Sequence, residues 1–250
     1  MPTSKPVVLI LGSGKNIGQS IGQLFAGKGY DIAYVSRSCT DDFSNLAETR
    51  IQCDLEKPET VAGVFDKVKK HLGVPTVVVY NAYAVLVNGE VGPLAISPRD
   101  FNRSLQVNTT SMLAAVQEAV KGWETLPDNT ASPTFIYTGN GFIEKPFGRA
   151  MDLCVGKAAS ANLIQLLADE YKTKPYKFYF ADERMPDGDV AWFCQDGQAH
   201  AEFYYGLATA PEQRPWLQTF VKDKGYVSFE NANITDGAWA FEKQKLKPSA

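Results

Sequence analysis

The chain has 250 residues, of which 44% are hydrophobic and 21% charged, and its formal net charge is -3. That length supplies one large α/β core or two small ones, and the balance is that of an ordinary globular protein. It leaves no basic field to attract nucleic acid or an anionic membrane.

The longest apolar stretch, Val77 to Val87, is broken by Asn81 and is too short to cross a bilayer. Met1 to Lys5 carry no signal-peptide pattern, so a cytoplasmic protein is expected. Cys39, Cys53, Cys154 and Cys194 lack any metal-binding spacing and read as reduced thiols, with no metal expected.

Strand-like and helix-like segments alternate from the start. Val7 to Leu11 is a continuous apolar run suited to a parallel strand buried on both faces. Asn16 to Lys28 follows, with Ile17, Ile21, Leu24 and Phe25 at helical spacing and glycines at the end. Asp31 to Val35 and Ile51 to Cys53 read as the second and third strands, and Glu59 to Leu72 as a helix. Thr76 to Tyr80 is the fourth strand and Pro98 to Trp123 a long helix. Thr134 to Thr138, a second long helix over Arg149 to Tyr171, and Lys177 to Phe180 complete the repetition.

The pattern predicts a single α/β domain over 1–250, a doubly wound parallel sheet of the Rossmann kind. After Asp182 the periodicity weakens and aromatic residues thicken, so 182–216 reads as a substrate-facing lobe before a last strand near Leu217 to Val221. From Glu230 the tail is polar, suited to loose packing or to pairing with another subunit.

Gly12-Ser13-Gly14-Lys15-Asn16-Ile17-Gly18 lies between the first strand and the first helix. A pyrophosphate meets a helix N-terminus there, and glycine permits close backbone approach. In that setting the loop points to dinucleotide binding.

Here the chain resembles the short-chain dehydrogenase/reductase family, over nearly its whole length. That family's loop runs Thr-Gly-x-x-x-Gly-x-Gly; Gly12, Ile17 and Gly18 match, while Leu11 replaces the Thr and Asn16 the middle Gly. Asn16 is the residue type that best tolerates the left-handed backbone a Gly there would take. The resemblance implies about seven strands and a homodimer or homotetramer formed through the two long helices.

It also assigns cofactor residues. Lys15 and Arg37 stand where NADP-dependent members carry cations, and Ser36 removes the acid that NAD-dependent members present, so NADP(H) is favoured over NAD(H). Asp54, followed by Leu55, resembles the Asp that meets the adenine amino group. Asn81-Ala82 resembles the Asn-Ala-Gly turn, with Tyr83 in place of Gly. If Asp187-Gly188 stands for the family's Pro-Gly, the Val190 backbone meets the nicotinamide carboxamide.

The catalytic Asn-Ser-Tyr-Lys set is incomplete. Asn108 matches the Asn, whose helix kink holds a water near the Lys, and Lys157 matches the Lys that grips the ribose. Asn140 falls at the Ser position, with Thr138 as the nearest hydroxyl, and Leu153 at the Tyr position. A positioned acid is worth about 10²- to 10⁴-fold, which leucine does not supply. Asn140 can polarise a carbonyl but not protonate it.

Three readings stay open. An iminium or activated enone needs less proton delivery. A substitute acid could come from Asp152, Glu144, Tyr83 or His200. Alternatively, the chain binds cofactor without turnover, as a sensor. Tyr80-Asn81-Ala82, Thr138-Gly139, Leu153 and Asp187-Gly188 resemble a little-characterised branch of the family. The leading expectation is an NADP(H)-dependent reductase of a small apolar or aromatic molecule.

Overall fold

The computed structural model describes residues 5–87, 92–127 and 132–229. β1 (Val7–Leu11) is buried along its whole length. Alternate side chains serve opposite faces: Val7, Leu9 and Leu11 enter one core, Val8 and Ile10 the other. β2 (Asp31–Ser36), β3 (Glu48–Gln52), β4 (Val77–Tyr80), β5 (Thr134–Thr138), β6 (Lys177–Arg184) and β7 (Leu217–Val221) all pair in parallel. The sheet order is β3-β2-β1-β4-β5-β6-β7-β8, where β8 is Gly225–Tyr226.

One core lies under α1 (Ile17–Gly27) and the helix Gly197–Ala208. The other lies under α2 (Val61–His71), the helix Ser111–Trp123 and the helix Met151–Glu170. Helices therefore cover both faces of one sheet, in a single α/β domain.

Three expectations need correcting. The sheet has eight strands rather than seven, because a turn with Asp223 at φ 63 and Gly225 at φ 74 folds β8 back antiparallel onto β7. β6 runs on past Phe180 to Arg184, all eight residues buried. Asp182, Glu183 and Arg184 conceal that extension in the sequence, since buried charges break an apolar run.

The helix expected over Pro98 to Trp123 is interrupted. α3 (Pro98–Leu105) gives way to a π-helical turn, Gln106–Thr110, before α4 (Ser111–Trp123). Ser97 caps α3, accepting from the Asp100 amide. α5 (Met151–Glu170) and α6 (Gly197–Ala208) complete the set. Within 182–216 lie the end of β6, a turn and α6, which packs on the sheet beside α1. The tail from Glu230 onward lies outside the described residues.

Candidate active site

The strand order reverses between β1 and β4, and a cleft of about 700 Å³ opens at the carboxyl ends of the strands there. That crevice is the general ligand position in doubly wound sheets. The glycine loop forms one wall. Gly12 adopts φ +95, and a Cβ on it would lie 2.4 Å from the Ala82 amide nitrogen. Gly18 is as tight, since its Cβ would meet the Ser13 Cα at 2.7 Å. The loop is pinned to β2 by the Gly12 and Ser13 amides and the Ser13 hydroxyl, all donating to the Val35 carbonyl. Asn81 Nδ2 donates to the Gly12 carbonyl at 2.8 Å, tying the loop to the end of β4. This cradle admits backbone and no side chain, which fits a pyrophosphate at the start of α1.

Asn16 does not adopt the left-handed conformation expected of it: its φ is -88. Instead its side chain donates to the Gln195 carbonyl and accepts from the Gly197 amide, joining the loop to the N-terminus of α6. A Cβ at Gly197 would approach Asn16 Oδ1 at 2.6 Å, so the pair fit only without a side chain there. Ile17 is buried beneath the loop.

Lys15, Arg37, Asp54, Leu55 and Ala82 also line the cleft. Asp54 Oδ1 accepts the Glu56 amide, holding the turn after β3. Arg37 stands exposed at the rim, with Nη1 3.9 Å from Glu56 Oε1. Tyr83 lies 63% exposed at the rim, its ring turned largely to solvent.

Asn108, Asn140, Lys157 and Val190 are buried and not among the residues lining that cleft. Asn108 sits in the π-helical turn. Its side chain donates to the Ala84 carbonyl and the Ser104 hydroxyl and accepts from the Ala84 amide. Its main-chain carbonyl takes hydrogen bonds from Tyr137 and Ser160, at 2.8 and 2.7 Å. Both lone pairs of that carbonyl are thus engaged, leaving none for a bridging water in this arrangement.

Lys157 donates from Nζ to the Thr138 carbonyl at 2.5 Å, 4.4 Å from the Tyr137 ring centroid. Burial pulls its pKa down to about 7, with Asp182 opposing. Asn140 Oδ1 accepts from the Phe142 amide, capping a short turn. Val190 bridges to Arg184.

Leu153 is sealed in an apolar cluster with Phe142, Phe147, Ala150, Cys154 and Val190, against which Trp192 packs. Of the substitute acids, Asp152 is fully buried. Its Oδ2 accepts the Leu86 amide, and Oδ1 has no hydrogen-bond partner among the described residues. Glu144 pairs with Arg184 at 3.2 Å. His200 is buried: Nδ1 meets the Asp196 carbonyl at 2.8 Å, and the ring packs on Tyr204 and Phe220.

Nothing in the sequence singles out Glu56, Arg103 or the charged end of β6. Arg103 lies one helical turn before Val107, a spacing that places both on one face. Both line the cleft. Asp182 and Arg184 carried no motif to reveal them. Burial raises the Asp182 pKa to about 6 although Arg184 lies 2.5 Å away.

Comparison with known proteins agrees with this fold. The sequence model described as short chain dehydrogenase matches residues 6–176. The chain is 42% identical over 237 residues to "Short chain dehydrogenase/reductase dmxR12" of Cryptosporiopsis sp. (strain 8999), covering 90% of this chain and 96% of that one. Among solved structures, 3-oxoacyl-[acyl-carrier protein] reductase from Brucella melitensis in complex with NAD superposes with a TM-score of 0.74 at 18% identity, covering 88% and 96% of the two chains. A short-chain dehydrogenase/reductase from Serratia marcescens BCRC 10948 gives 0.69 at 19% identity, covering 89% and 98%. At such identities these two structures speak for the fold. The family match and the 42% relative go further: this chain belongs to the short-chain dehydrogenase/reductase family, oxidoreductases that use a nicotinamide cofactor.

Proposed function

We propose that the chain is an NADP(H)-dependent reductase of a small apolar or aromatic molecule whose acceptor carbon is already activated, an iminium or enone. The observation that carries this reading is Leu153, enclosed by Phe142, Phe147 and Val190 where a proton donor would stand. When bound, the nicotinamide cofactor would supply a hydride. An iminium carbon takes that hydride while its nitrogen keeps the released electron pair, so no proton is required. In an enone the β-carbon takes it and solvent protonates the enolate.

The chain's own residues would bind and orient. The glycine loop and the Asn81-Ala82 turn receive the pyrophosphate. Lys15 and Arg37 face the adenosine end, where a 2′-phosphate forks onto a guanidinium. Asn140 and Lys157 serve the substrate's polar atom and the nicotinamide ribose once the buried ammonium turns from Thr138. Exposed Leu113 on α4 and Val155 and Leu166 on α5 suit a homodimer or homotetramer. Free cysteines suit a cytoplasmic setting.

Cofactor oxidation against paired panels of ketones, enones and preformed iminium ions tests the reading. The expected result is consumption of NADPH with activated acceptors and none with simple ketones. The second reading, a sensor, rests on Lys157 being buried outside the cleft. Tight NADPH binding with no consumption on either panel would favour it.

A further inference from the structure

A carboxylate beside the expected 2′-phosphate position is out of place, because like charges repel. Glu56 lines the cleft with Arg37 and Arg103. It is held by both arginines. Arg103 Nε lies 3.1 Å from Oε2, and Arg103 Nη2 lies 2.9 Å from Oε1 and 2.9 Å from Oε2. Arg37 Nη1 lies 3.9 Å from the same Oε1. Arg103 Nη1 is also 3.7 Å from Asp100 Oδ1, and Asp54 lies on the same wall.

The geometry points to Glu56 as a resident counter-anion that occupies a two-arginine fork, and to Arg103 as a second ligand for the cofactor's 2′-phosphate that exchanges one for the other. This rests on the NADP(H) reading of the cleft and adds the residues that set its selectivity. Two nitrogens that share one oxygen at these distances are at most about 7 Å apart, a gap one phosphoryl group bridges with hydrogen bonds of ordinary length. A phosphate monoester carries roughly −1.5 to −2 charges at neutral pH against one on a carboxylate, so it competes well for the fork. Both arginines are more than half exposed, so no large folding energy locks the Glu56 pair in place. Asp100 and Asp54 oppose the phosphate. That opposition makes Arg103, and not Arg37 alone, necessary for a firm preference.

The test uses fragments that report on this end of the cleft without the nicotinamide. Dissociation constants of adenosine 2′,5′-bisphosphate and 5′-AMP are measured by calorimetry for the wild type, Arg37→Ala, Arg103→Ala and Glu56→Gln, with thermal melts confirming that each is folded. Arg103→Ala should weaken the bisphosphate about tenfold and 5′-AMP less than about twofold. Glu56→Gln should tighten the bisphosphate several-fold and leave 5′-AMP unchanged.

If Arg37→Ala alone removes the preference while Arg103→Ala and Glu56→Gln leave it intact, Arg103 is only a partner of Glu56. The exchange is then overturned and the NADP(H) reading survives. If Glu56→Gln weakens both fragments alike, the carboxylate supports the adenosine itself and the exchange is again overturned. If the wild type shows no preference for the bisphosphate, both readings fall together.

Discussion

At the scale of single residues, the proposed chemistry turns on Leu153. It is 2% exposed, so its replacement by a larger polar side chain is resisted by the same cluster that excludes water. Leu153→Tyr adds a ring extension and a hydroxyl to a filled site. Overpacking of that kind costs about 1–3 kcal/mol, and an unpaired hydroxyl adds to it. The variant is therefore expected to unfold at lower urea concentration and to gain no ketone reduction. Full stability together with new ketone reduction would show that the pocket keeps the shape of a tyrosine site.

Lys157 belongs at this scale as well. Its amine is desolvated, bonded to one carbonyl and set over one ring, so the proposed ribose contact would require it to move.

The join between β6 and α6 brings two opposing titrations together. Burial pushes the Glu183 carboxyl up to about 7 and the His200 imidazole down to about 4. Glu183 Oε2 lies 3.3 Å from His200 Nδ1, yet both shifts favour the neutral forms, so this contact is not an ion pair. Nδ1 bears the proton it gives the Asp196 carbonyl, and Nε2 is buried with no partner among the described residues.

For His200 the unfolded chain binds the extra proton, so stability falls as pH drops from 6.5 toward 4. For Glu183 the folded chain keeps the proton, so stability rises as pH drops from 7 toward 4.5. In the wild type the two slopes largely cancel. Glu183→Gln leaves the His200 slope alone and should lose up to roughly 3 kcal/mol, relative to wild type, between neutral pH and pH about 4.5. His200→Phe should change in the opposite sense. Urea unfolding at the two pH values measures both, and parallel behaviour of the variants would refute the paired shifts.

Across the whole molecule, the sequence makes most of the layered architecture readable, because a strand buried on both faces must be apolar throughout, as Val7 to Leu11 and Val77 to Tyr80 are. The first helix is readable from Ile17, Ile21 and Phe25, which return to one face every turn. What stays hidden depends on partners distant in the chain. Asn16 looks like a residue chosen for a left-handed turn, whereas its partners are Gln195 and Gly197. Glu56 and Arg103 are 47 positions apart, and no local pattern joins them. His200 sits between Ala199 and Ala201 in a stretch with no apolar run, yet Tyr204 and Phe220 pack on its buried ring. In the candidate site the glycine loop and Asn81 were visible as motifs. The closure of Asn108 by Tyr137 and Ser160 was not, because hydroxyls on another strand and helix carry it.

The proposal on which the rest depends is that this cleft takes a 2′-phosphorylated dinucleotide. Calorimetric titration of NADPH and NADH into the same protein, at one fixed ionic strength because exposed charges are screened by salt, tests it most directly. NADPH should bind tighter by about tenfold or more, with the difference removed by Arg37→Ala. Equal affinities, or tighter NADH that Arg37→Ala leaves unchanged, would contradict it.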